Sequence, residues 1–145
     1  MTVVAPKTLL GRAPATEAAV KKLATQAASR FQAPAGQVAV SGAYGTTKQQ
    51  NVVVLVAMTG SHAGPDEFLD TLAKQAFPQS VFHPVAPGPL GGAARCADAS
   101  SSGTPSTFCV WADNGSFGML YFLYKAAADG DTLLAQARAE VEVPK

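Results

Sequence analysis

The stretch that decides the fold runs from residue 93 to residue 123. It reads Ala93-Ala94-Arg95-Cys96-Ala97-Asp98, then Ala99-Ser100-Ser101-Ser102-Gly103-Thr104-Pro105-Ser106, then Thr107-Phe108-Cys109-Val110-Trp111-Ala112-Asp113, then Asn114-Gly115, and finally Ser116-Phe117-Gly118-Met119-Leu120-Tyr121-Phe122-Leu123. The Ser/Gly/Pro-rich segment is a loop by composition. Asn114-Gly115 is a strong hairpin signal, because both central positions of a type I′ turn need positive φ. The stretch therefore predicts three antiparallel strands at about 92–98, 106–113 and 116–124.

A two-residue turn pairs Asp113 with Ser116. Continuing that register sets Trp111 opposite Gly118, Cys109 opposite Leu120 and Thr107 opposite Phe122. If Cys96 and Cys109 face each other, Ala94 faces Trp111. One face then carries Ala94, Cys96, Cys109, Trp111, Leu120 and Phe122, and the other Ala93, Phe108, Val110, Phe117, Met119, Tyr121 and Leu123. Both faces are apolar, so both must be covered, by helices or by another molecule. Gly118 and Ala94 leave room for the indole of Trp111. Directly opposed cysteines lie about 4.5–5.5 Å apart at Cα, a span a disulfide can bridge. Such a bond belongs to oxidising compartments.

Working outward, the chain predicts an α+β fold. It has a largely antiparallel sheet of five or six strands, three helices and the order β-α-β-β-α-β-β-β-α, in a single domain over 1–145. Thr2 to Leu10 reads as a first strand or extended arm, and Pro14 suits a first helical turn. Ala15 to Phe31 is helical, with Ala19, Leu23, Ala27 and Phe31 on one stripe and Val20 and Ala24 beside it. Gln37 to Gly45 is a strand. Val52 to Val56 is an unbroken β-branched and leucine run, as in a strand buried on both faces. Pro65-Asp66-Glu67 opens a second helix and Pro78 stops it. Ser80 to Gly92 reads as irregular. Asp131 is a good N-cap for a last helix that buries Leu133, Leu134, Ala137 and Val141.

Composition narrows the function. Of 145 residues 48% are hydrophobic and only 14% charged, against about 25% in typical proteins. Formal net charge is +1 and no basic run interleaves with aromatics, which argues against nucleic acid as a primary partner. No apolar stretch reaches the ~18 residues of a membrane span. Met1 to Lys7 lacks the basic and long apolar regions of a signal peptide. Two readings remain: a cytoplasmic chain that starts at Met1, or an ectodomain without its export signal or anchor and with Met1 added for expression. The cysteine pair and the Ser/Thr-rich loop favour the second.

No catalytic motif stands out. The two cysteines are too far apart for C-x-x-C chemistry and have no neighbouring histidines, so metal binding is not expected. His62, in a glycine-flanked loop, and His83, before Pro84, are the only histidines and the candidate ligand-binding residues. No G-x-S-x-G elbow accompanies them, and nothing in the sequence places a carboxylate behind either ring. Asp129-Gly130-Asp131 lacks the other ligands of a calcium loop. Gly88-Pro89-Leu90-Gly91-Gly92 lacks the lysine of a phosphate loop. Asn114-Gly115-Ser116 matches a glycosylation sequon, but a turn explains it better. Trp111, Asn114, Gly115 and Gly118 read as structural residues, and no cofactor is expected.

Gly88 to Gly92, Arg95-Cys96, Cys109 to Asp113, Gly118 and the closing Leu133-Leu134-Ala135-Gln136-Ala137-Arg138 together resemble one group. This is the extracytoplasmic domains of uncharacterised, single-pass or lipid-anchored proteins of high-GC actinobacteria. The resemblance covers about 85–141 and implies a secreted or membrane-tethered domain, without an activity or a functional residue. The expectation is a non-catalytic extracytoplasmic domain of the cell envelope that binds a protein or envelope component or supports an envelope assembly, with a homo-oligomer among the options. Two alternatives are a small extracytoplasmic hydrolase using a loop histidine and a cytoplasmic regulatory domain with reduced cysteines. A histidine hydrogen-bonded to a carboxylate in a concave pocket would favour the hydrolase, and an exposed apolar patch the binding domain.

Overall fold

Helices cover both faces of a six-stranded antiparallel sheet in the computed structural model, which describes residues 2–29, 37–60, 64–100, 103–125 and 127–144. The elements in order are β1 (Thr2–Val3), α1 (Ala18–Ser29), β2 (Ala39–Tyr44), β3 (Val53–Thr59), α2 (Pro65–Ala76), β4 (Phe82–Val85), β5 (Ala93–Asp98), β6 (Ser106–Ala112), β7 (Ser116–Leu123), α3 (Ala127–Val141) and β8 (Glu142–Val143). The sheet order is β2-β3-β7-β6-β5-β4, and β1 pairs with β8 as a separate two-stranded ladder. The fold is therefore α+β with the anticipated helix and strand order. β4 arises inside the segment read as irregular, because Phe82 and Val85 pack against opposite faces of the sheet. β8 extends the chain past the last helix.

The register is the expected one. Trp111 faces Gly118, Cys109 faces Leu120, Thr107 faces Phe122 and Ala94 faces Trp111. Cys96 faces Cys109, and the two form a disulfide with Cα atoms 4.0 Å apart. Both are fully buried. A Cβ built on Gly118 would stand 2.2 Å from the Trp111 ring, so only glycine lets the indole lie flat across β7.

The hairpin turn departs from the type I′ expectation. Neither Asn114 nor Gly115 takes a positive φ. The Asp113 carboxylate makes the turn instead, accepting from the Gly115 and Ser116 N–H groups at 2.8 Å each. This Asx-type closure satisfies the turn amides without a left-handed backbone.

Two helix starts also differ, and so does one buried stripe. Pro14 bridges to Tyr44 rather than entering a helix, and α1 begins at Ala18. In α1 the buried pair is Val20 and Ala24, with Ala19 exposed, so the core stripe is rotated from the predicted one. The predicted helix end at Phe31 lies outside the described residues. Asp131 sits inside α3, which begins at Ala127, so it does not cap it.

The alternation along β3 divides the core. Val53, Leu55 and Ala57 join Trp111, Leu120, Phe122 and the disulfide under α3, where Leu134, Ala137 and Val141 are fully buried. Val52, Val54, Val56 and Met58 face α1 and α2 with Val110, Phe117 and Met119. No helix of the described residues is long and apolar enough to cross a membrane.

Candidate functional site

Three constellations carry chemistry. The first surrounds Arg138, a fully buried guanidinium on α3. Its Nη1 donates to the Pro87 and Gly91 carbonyls, its Nη2 donates to Asp113 at 2.9 Å, and its Nε faces Glu142 Oε2 at 3.5 Å. Glu142 also accepts from Trp111 Nε1 at 2.7 Å and from Ser116 Oγ. Burial by itself would raise the Asp113 pKa. Hydrogen bonds from the Gly115 N–H, and contacts with Glu142, Ser116 and Arg138, outweigh burial and hold it below the usual range.

The glycine-rich 88–92 segment thereby acquires a role the sequence did not disclose. It wraps its carbonyls around the Arg138 head. Gly92, at φ 84°, would put a Cβ 2.2 Å from the Ala112 carbonyl, so this close approach requires glycine. The cluster is internal and joins the loop, the β6–β7 turn and α3. It is a structural lock. The spacing of Arg138 and Glu142, four residues apart on the line of Leu134 and Val141, was the available signal.

The second constellation is His83. It lies on a strand rather than a loop, directly opposite Cys96 on the α3 side of the sheet. Its Nε2 is 2.9 Å from both carboxylate oxygens of Asp131. A carboxylate therefore does stand behind this ring, contrary to expectation, because α3 starts early enough to present Asp131 to β4. Both side chains are about a third or more exposed. His62 lies outside the described residues.

The third constellation is a cleft on the opposite face of the sheet. α1 packs over β2 and β3 and α2 over β5 and β6, leaving the middle of the sheet open between them. The cleft has a volume of about 300 Å³. Val54, Val56, Met119, Tyr121 and Phe108 form its floor, and Leu23 and Ala27 of α1 form one wall. Phe77, just past α2, forms the other, its ring 4.7 Å from that of Phe108. Phe82 and Tyr121 pack edge-on to Phe108, extending the aromatic surface. Gln26, Ser80 and the Tyr121 phenol are the polar groups of the lining.

An apolar cleft with a few polar groups at its margin is the usual form of a small-molecule or side-chain-binding site. Sequence reasoning placed Phe108, Met119 and Tyr121 on this apolar face but could not show the opening. Its lining comes from separate helices, strands and connectors, and their spacing is a tertiary matter. Arg95 fixes the neighbouring wall by pairing from β5 with Asp66 and Asp70 of α2.

Among the described residues, no group of three or more His, Cys, Asp or Glu side chains is placed to hold a metal ion. No protein family, no curated protein and no solved structure matches the chain.

Proposed function

We propose that this chain is a non-catalytic binding domain of the cell envelope, working outside the cytoplasm, and that the cleft between α1 and α2 is its contact site. The observation that carries the reading is the aromatic and aliphatic cleft of about 300 Å³, left open beside an otherwise well-covered sheet. Its chemistry suits a flat apolar group, either an aromatic ring or a short branched chain, presented by an envelope component or a partner protein. The disulfide supports the location outside the cytoplasm, as does the resemblance to actinobacterial extracytoplasmic domains.

Anilinonaphthalene sulfonate is a suitable first probe. Its fluorescence should rise on the folded protein, and Ala27→Phe, which fills the cleft from α1, should abolish the rise while leaving the thermal midpoint unchanged. Equal fluorescence in the filled variant would remove the cleft from consideration. Thiol alkylation of protein taken directly from the producing cells tests location. Two free thiols would place the chain in a reducing compartment.

The His83–Asp131 pair supports a second reading, a small hydrolase, because a carboxylate can orient and polarise an imidazole base. Neither residue lines the cleft. Hydrolysis of a p-nitrophenyl ester at the same rate by wild type and His83→Ala would end this reading.

A further inference from the structure

The cleft between α1 and α2 does not end at Phe77. A second hollow of about 240 Å³ adjoins it, and Phe77 and Ser80 line both. Lys74, on the last turn of α2, lines the second hollow. Among the described residues it is the one charged side chain on either lining. Phe77-Pro78-Gln79-Ser80 is a turn, closed by the Ser80 N–H donating to the Phe77 carbonyl at 3.1 Å. That turn holds the Ser80 hydroxyl where the two hollows meet.

The polar groups at these margins are unused by the protein. Among the described residues, the side chains of Gln26, Ser80 and Tyr121 have no hydrogen-bond partner, and Lys74 has no ion-pair partner. Exposure alone does not leave such groups idle here, since the exposed hydroxyls of Thr47 and Ser100 bond at 2.6 Å to the carboxylates of Glu17 and Asp98. The acids close to this margin in the chain are engaged elsewhere. Asp70, four residues before Lys74 on α2, pairs with Arg95. Asp98, next to the cleft residue Ala99, turns by strand alternation to the opposite face, and its carboxylate accepts from Ser100. The α2 margin thus carries a cation beside an apolar floor, and no carboxylate lies on either lining.

Taking the cleft as the contact site, as above, we propose that its ligand is a small carboxylic acid with an aromatic or branched apolar end. The apolar end rests on the floor of Val56, Phe108 and Met119, where removal of apolar surface from water drives binding. The carboxylate accepts from Ser80 Oγ and lies against Lys74 Nζ, a charge-assisted contact across Phe77. A wholly apolar ligand leaves both groups unused, and a ligand bearing an ammonium meets like charge. Gln26, on the α1 wall, is neutral, so the single cation fixes which end of the ligand points to α2.

Amide-resolved NMR titration with phenylpropionate and with its neutral amide, phenylpropionamide, tests the assignment on wild type, Lys74→Gln and Ala27→Phe. Both compounds should shift the Ala27 and Ser80 amide signals of the wild type. Lys74→Gln, a change at an exposed side chain, should keep the fold. It should weaken phenylpropionate about three-fold, the size of an exposed ion pair, and leave phenylpropionamide unchanged. Added salt should weaken phenylpropionate alone. Ala27→Phe should abolish binding of both. Equal affinity of phenylpropionate for wild type and Lys74→Gln, or shifts that survive Ala27→Phe, overturns the proposal. In the first of these cases phenylpropionamide still bound in the cleft means that the cleft stands and only the acid falls. If neither compound shifts the cleft amides, the acid falls, and the fluorescence of anilinonaphthalene sulfonate decides separately whether the cleft falls with it.

Discussion

The two faces of one sheet are covered in opposite ways. Under α3, Trp111, Leu120, Phe122 and the disulfide share one buried cluster with that helix and with Val3 and Leu9 of the N-terminal arm, and the polar groups that enter this layer are locked around Arg138. Under α1 and α2, the same strands contribute Val54, Val56, Phe108, Met119 and Tyr121 to a surface that two separate helices leave open. Strand alternation supplies apolar residues to both faces, so hydrophobicity does not distinguish them. The arrangement of the covering elements does. One helix, flanked by the N-terminal arm with Val3 and Leu9 and by an anchored loop, seals its layer, while two helices that belong to different connections leave a gap.

The largest test of this contrast removes the lock. Arg138→Met should leave Asp113 and Glu142 without their buried cation and lower stability by about 3–5 kcal/mol in urea unfolding. A loss below about 1 kcal/mol would show that the α3 face is held by apolar packing alone. Acid should act on the same cluster. Asp113 has a folded pKa below its ordinary value, so its contribution is present above the normal carboxylate range, about 3.9, and is lost as pH falls through the lowered folded value. Asp113→Asn should flatten that acid limb of the stability curve, measured as thermal midpoint against pH.

Next in size is the disulfide. Its reduction, or replacement of both cysteines by alanine, should cost about 2–4 kcal/mol and loosen the serine-rich loop. Hydrogen exchange should show faster opening at the β5–β6 end than at the Asn114–Gly115 end. Gly118→Ala follows, at about 1–3 kcal/mol, because the added methyl would stand 2.2 Å from an indole that has no free space to retreat into. A shifted Trp111 fluorescence maximum should accompany the loss.

The smallest effect belongs to the open face. Ala27→Leu adds volume to the α1 wall of the cleft, where it meets space instead of packed atoms, and should change stability by less than about 0.5 kcal/mol. A loss of several times that would mean the cleft closes in solution and that the two faces are alike.

Much of this architecture was legible in the chain. The strands at 93–123, their register and the Cys96–Cys109 pairing follow from a two-residue turn and a period of two, and a one-residue slip would have exposed Trp111. The turn type departs from the type I′ expectation because Asn-Gly is compatible with more than one geometry. The Asp113 side chain decided between them by bonding two amides at once. β4 escaped because three prolines and three glycines in 80–92 mask a strand only four residues long.

What the sequence determined by itself was therefore local and periodic: which residues alternate, where helices start, and which thiols can meet. The tertiary structure decided everything that depends on where non-adjacent elements come to rest. It brought Asp131 to His83, closed the glycine-rich loop on Arg138, left a cleft between α1 and α2, and, among the described residues, set a short proline-bearing strand at one sheet edge and a longer strand without an outer partner strand at the other. The physical reason is range. Backbone dihedrals and side-chain alternation act over a few residues, whereas a buried charge, a cavity and a free edge are defined by groups that the chain separates by tens of residues and only packing reunites.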